Sequence, residues 1–153
     1  MSAPLKKHLR FPGVLLLFCL INTGYTHAQE KVEPNALVKE AYSPTELNGI
    51  LATDPNSILY YNYLTEKAWC LTNVPEEKSE VAASYPLLYK KDPTTKVVTQ
   101  EPLSAKDLLT FNLLQYDYRI AATPTYYRIA DSKQILVIKS QDEINAGFNR
   151  FKK

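Results

Sequence analysis

The sequence predicts an α+β domain built from two or three short N-terminal helices, a mainly antiparallel sheet of about four to five strands, and a closing C-terminal helix. Three observations predict it. Helix-start signatures recur at Ser43, Ser104 and Ser140. Segments rich in β-branched or alternating apolar residues gather after Ala68. The final stretch returns to helical spacing, with Ile144, Phe148 and Phe151 on one stripe.

Ala36, Leu37, Val38 and Ala41 suggest a first helix that stops before Ser43-Pro44-Thr45-Glu46. That tetrapeptide offers a capping serine, a proline at the first helical position and a glutamate three residues after the cap. Asp54-Pro55 marks the next start, for a helix carrying Ile58, Leu59, Tyr61, Tyr63 and Leu64. AWCLT, from Ala68, and KVVTQ, between Pro93 and Pro102, read as strands. The segment between them, Pro75 to Pro93, shows no sustained period and is expected to be loop with room for one helical turn. Ser104-Ala105-Lys106-Asp107 opens a short helix through Leu108 and Leu109. Leu114, Tyr116, Tyr118 and Ile120 then alternate with Gln115, Asp117 and Arg119, the pattern of a strand with one wet face. TYYRIA and QILVIKS flank a short turn at Asp131-Ser132-Lys133 and form a hairpin. Ser140 to Glu143 caps the closing helix, whose Asp142 and Glu143 suit a helix N-terminus.

Residues 1–28 have the three parts of a signal peptide: basic Lys6, Lys7 and Arg10, an apolar run from Phe11 to Ile21, and Thr26-His27-Ala28 before the cleavage point. The apolar run is shorter than the ~20 residues a spanning helix needs. The chain is therefore expected to be exported, to the periplasm or beyond, with no transmembrane segment after cleavage. Lipid anchoring through Cys19 is not expected, because Leu16-Leu17-Phe18 stand where small residues would precede a lipidated cysteine. Residues 29–153 form one domain, with a loose lead-in at 29–34.

Removing the leader changes the chemistry. Three of the 18 Lys and Arg lie in residues 1–28 and none of the 16 Asp and Glu, which leaves 15 cations against 16 anions and a net charge of −1. A near-neutral chain without a basic cluster is not a nucleic-acid binder. His8 and His27 leave with the leader, so residues 29–153 contain no imidazole. This excludes histidine-based nucleophile triads, histidine-ligated metal sites and histidine general bases. Gly49 and Gly147 are the only glycines after position 28, too few for a phosphate-cradling loop. No cofactor or metal is expected. Cys70 is the one remaining cysteine; between Trp69 and Leu71 it reads as a buried structural residue.

What stands out is tyrosine, with 10 of the 11 beyond residue 28. Tyrosines serve both at core boundaries and at recognition surfaces. In the hairpin, parity places Tyr127 and Ile129 on one face and Tyr126 with Arg128 on the other. The more apolar face is assigned to the core, so Tyr126 and Arg128, with Tyr118 and Tyr116, are the candidate binding residues. Turn length decides the second strand: a two-residue turn puts Leu136 and Ile138 on the core face, a three-residue turn Ile135 and Val137. The face left over is expected to be covered by the C-terminal helix.

The expected function is a small exported, non-catalytic module that binds a protein or glycan, as an accessory subunit of a cell-envelope or extracellular assembly. The alternative is a carboxylate-dependent hydrolase, or an inhibitor of one, using Glu76 and Glu77 or Asp117 and Asp131. A homodimer through an exposed sheet edge or face is a third possibility. The leader reading predicts that the exported protein begins at Gln29. N-terminal sequencing of the secreted chain checks this, and an exported chain still starting at Met1 would sink it.

Overall fold

The computed structural model describes residues 32–152 apart from position 55. The leader, Cys19, both histidines and the cleavage point lie outside the described residues. Element order is α1 (Ala36–Ala41), α2 (Pro44–Thr53), α3 (Asn56–Lys67), β1 (Trp69–Asn73), a 3-10 turn (Glu76–Lys78) leading into α4 (Ser79–Ala83), β2 (Tyr89–Lys91), β3 (Val98–Pro102), 3-10 segments at Ala105–Thr110 and Leu113–Gln115, β4 (Thr125–Arg128), β5 (Gln134–Ile138) and α5 (Gln141–Phe151). This is the α+β architecture expected. Its five strands form two antiparallel sheets, β1-β5-β4 and β2-β3.

Helix starts follow the local chemistry. The Ser43 N–H donates to Glu46 Oε2 at 2.7 Å and Glu46 N–H donates back to Ser43 Oγ at 3.3 Å. Ser140 and Glu143 repeat the exchange at 2.9 and 3.3 Å. Asn35 caps α1, its Oδ1 accepting the Val38 N–H at 2.9 Å. The end of the segment expected to be loose is tied down here. Glu33 O accepts from Asn62 Nδ2 at 2.9 Å, and Asn62 Oδ1 accepts the Asn35 N–H at the same distance. Asn112, also buried, donates through Nδ2 to Leu37 O at 2.7 Å. Two amide side chains thus bind α1 to α3 and to the segment before residue 113.

In the three-stranded sheet, Thr125 pairs with Ile138, Tyr127 with Leu136, and Arg128 with Ile135. Leu136 and Ile138 therefore share the core face with Tyr127, the outcome of the shorter turn, and both are fully buried. Burial of each contributes roughly 1.5–3 kcal/mol. α5 does not cover the other face: Ile144 enters the core, and Phe148 and Phe151 meet Tyr63 with ring centroids 5.8 and 5.5 Å apart. Ile135 instead lines a cleft with Ala82 and Ala83 of α4, the segment with no sequence signature of its own.

Two further expectations change. Leu114 to Ile120 do not form a strand; 113–115 is a 3-10 turn, and only an isolated bridge joins Tyr116 to Lys90. The alternation still sorts the side chains, since Leu114 and Tyr116 are buried while Asp117 and Arg119 are exposed. Cys70 is exposed, not buried. Its register opposite Val137 puts it on the sheet face away from Trp69 and Leu71, whose partners Ile138 and Leu136 are in the core.

The two glycines predict opposite responses to alanine. A Cβ at Gly49 in α2 would meet nothing within 4 Å, whereas one at Gly147 in α5 would drive into the Tyr63 hydroxyl and come within 2.9 Å of Cζ. Gly49→Ala should raise stability by about 0.5–1 kcal/mol through helix propensity. Gly147→Ala should lower it by roughly 1–3 kcal/mol through overpacking. Urea midpoints check both; a stabilised Gly147→Ala would contradict the packing of α5 on α3.

Candidate functional site

The hairpin presents one face to the core and one outward. Tyr127 is buried, its hydroxyl accepting the Arg119 N–H at 2.9 Å. That bond offsets part of the rise that burial imposes on its pKa. Tyr126 is 38% exposed and stacks on Tyr85, with centroids 5.2 Å apart and planes 19° from parallel. The Arg128 side chain shares the outward face, and its N–H is held by Pro86 O at 2.8 Å.

Beside Arg128 a cleft of about 490 Å³ opens at the end of the sheet where β1 and β4 finish and β5 begins. Val74, Ala82, Ala83 and Ile135 supply its apolar lining; Arg128, Lys133, Glu76, Ser79, Ser132 and Gln134 supply the polar part. None of Arg128, Lys133 and Glu76 enters an ion pair among the described residues, so two cations face one carboxylate there. An apolar pocket with a few convergent polar groups is the usual form of a binding site. Charge favours an anionic or carboxylate-bearing group in this one.

The four sequence candidates separate. Tyr126 and Arg128 lie together on the outer face. Tyr116 is in the core, 2% exposed and against Phe111 at 5.2 Å. Tyr118 lies elsewhere, half-buried, with Lys91 Nζ 5.8 Å from its ring centroid. Burial, followed by the neighbouring Tyr60 and Tyr61, pushes the Tyr118 hydroxyl up to about 12. The four nominated carboxylates also scatter: Glu76 lines the cleft just described, Asp131 a separate one with Asp107 and Lys90, and Glu77 and Asp117 neither. Lys133 and Ser79 were not marked as site residues by any sequence pattern, and Glu76 was nominated only as a hydrolase carboxylate. The cleft exists only because residues 76–83 pack on the hairpin, and no local signal reports that packing.

Among the described residues no group of three or more His, Cys, Asp or Glu is placed to hold a metal, and no helix is long and apolar enough to cross a membrane. No family model matches the chain, and comparisons with curated proteins and with solved structures find no match.

The cleft with Asp107 holds a charge network. Lys90 Nζ donates to Asp107 Oδ1 at 2.9 Å, the Ser104 N–H donates to Oδ2 at 3.0 Å, and the Ser104 hydroxyl donates to the same oxygen. Burial alone would raise the Asp107 pKa, but these hydrogen bonds and the lysine charge hold it at about 2. A carboxylate depressed in the folded state stabilises it above the unfolded pKa, and that contribution disappears as pH falls through the folded value. Asp107→Asn should therefore cost about 2 kcal/mol near neutrality, with the deficit fading as pH approaches 2. Urea midpoints across that range test it; a deficit independent of pH would assign the loss to packing.

Proposed function

We propose that this chain is a small exported, non-catalytic binding module, an accessory subunit of a cell-envelope or extracellular assembly. It recognises a protein or glycan through the outer face of the β4–β5 hairpin. The observation that carries this reading is the meeting of exposed Tyr126, stacked on Tyr85, with Arg128 at the wall of the apolar cleft. A stacked aromatic gives contact area at low entropic cost, and a guanidinium forks onto a carboxylate. Lys133 adds a second cation within the same cleft, so an acidic peptide segment or an acidic sugar suits it. The absence of histidine from residues 29–153 supports the non-catalytic part, and the composition of residues 1–28 supports export.

Affinity capture from the native envelope, or on immobilised glycans, tests the reading when wild type is compared with Arg128→Ala, Tyr126→Ala and a distant control, Lys106→Ala. A specific ligand should be retained by wild type and the control. Arg128→Ala and Tyr126→Ala should each weaken binding at least tenfold, corresponding to about 1.4 kcal/mol or more. Binding unaffected by both hairpin substitutions would reject this face.

A further inference from the structure

The fold treats the two edges of the three-stranded sheet differently. Along β4, the Arg128 N–H donates to Pro86 O at 2.8 Å, and Leu87 forms a parallel bridge to Arg128. Just beyond, the Ala130 N–H donates to Leu103 O at 2.8 Å. β1 has β5 on one flank and, among the described residues, no strand on the other.

The groups left over on β1 can be named. The Val74 N–H donates to Lys133 O at 3.1 Å and the Lys139 N–H to Ala68 O at 2.9 Å, both continuing the register that sets Cys70 opposite Val137. In an antiparallel ladder alternate residues turn both backbone groups to the same neighbour. Cys70 and Thr72 therefore turn theirs to β5, while Trp69, Leu71 and Asn73 turn theirs to the open side. None of those three outward N–H or C=O groups has a partner among the described residues. Monomeric proteins guard such edges with charges, prolines or bulges. The strand WCLTN has none of the three, and its pairing with β5 runs without a shift.

We infer that the open edge of β1 pairs antiparallel with β1 of a second copy, extending the sheet to six strands across a two-fold axis at Cys70. A second copy suits this edge because the sequence is self-complementary about that point. Trp69 of each copy falls opposite Leu71 of the other, so half-buried apolar side chains meet on the core side. Thr72 falls opposite Ala68 and Lys67 opposite Asn73, so no like charges meet. The outward groups of Trp69 and Leu71 then form the new ladder. The two Cys70 residues occupy a non-hydrogen-bonded pair, with Cα atoms about 4.5 Å apart, inside the range a disulfide spans.

The test is sedimentation equilibrium of the chain, expressed from its full-length sequence, under reducing conditions over a concentration series. Wild type and Cys70→Ser should approach the mass of two chains. Cys70→Lys, which sets two ammonium groups face to face at an exposed position, should halve that mass while keeping the far-ultraviolet circular dichroism of wild type. Glutathione disulfide then reads the register. The two Cys70 thiols release two protons and pass two electrons to it, forming one S–S bond while it leaves as two glutathione thiols. A two-chain band on a non-reducing gel is expected. A one-chain mass for wild type at every concentration, a folded Cys70→Lys that stays dimeric, or a dimer that does not cross-link would each overturn the inference. The wild-type mass and the cross-link decide it even if the lysine variant fails to fold.

Discussion

The register of β5 is the constraint on which most of this structure depends. Among the described residues β5 is the one strand with a full strand paired on each flank, and its two ladders run without a shift. Because side chains alternate, one register decides several placements together. It puts Leu136 and Ile138 in the core with Tyr127, sets Ile135 beside Arg128 against α4, and turns Cys70 outward opposite Val137. A slip of one residue on either flank would bury Arg128 or Cys70 and expose the residues that now close the core. Two fully buried aliphatic side chains, worth several kcal/mol together, oppose that slip.

Around the sheet the helices are fastened by two kinds of contact. Aromatic edges join α5 to α3, where Phe148 meets Tyr60 at 5.1 Å and nearly at right angles. Trp69 closes the lower half, with its indole N–H on Thr65 O at 2.9 Å and its ring edge-on to Phe111 at 4.7 Å. Most tyrosines are consumed in this way. The excess that looks in sequence like a recognition surface is largely a boundary between helices and sheet, and it leaves Tyr126 as the one tyrosine presented on the outer face of the hairpin.

Features decided within a few residues were legible in the sequence. Each capping box needs only a serine and a carboxylate three residues on, and all three proposed boxes form, although the one at Ser104 opens a 3-10 segment and not an α-helix. Parity within TYYRIA was legible for the same reason, since Tyr127 and Tyr126 separate as alternation demands. Leu114 to Ile120 mark the limit of alternation: it reports which side chains are buried, but a ladder also needs a neighbouring strand along its length, and the pairing with β2 stops at the Tyr116–Lys90 bridge and the Asp117 N–H on Tyr89 O at 2.9 Å. The exposure of Cys70 does not follow from its apolar neighbours in sequence, because adjacent residues of a strand occupy opposite faces. The cleft was illegible because Glu76 and Lys133 are 57 positions apart and meet only through tertiary packing.

Several of the side chains that pin α1 are amides or hydroxyls, alongside Lys96, whose Nζ donates to Ala41 O at 3.0 Å, and Glu66, whose Oε1 accepts from Asn35 Nδ2 at 3.1 Å. Asn35, Asn62, Thr65 and Asn112 cross-tie it through amides and a hydroxyl, with distances of 2.7–3.0 Å. None of these groups gains or loses a proton anywhere between strong acid and strong base. Carboxylates carry the acid sensitivity: Glu46 and Glu143, both held below their usual range by hydrogen bonds from the capping serines, Asp107, and Asp92 in the turn after β2, lowered by hydrogen bonds from Thr95. On acidification the helix ends would weaken first, while the amide joints of the N-terminal half keep their partners. The asparagine joints thus keep their hydrogen bonds at acid pH, where a lysine–glutamate pair would lose its carboxylate charge.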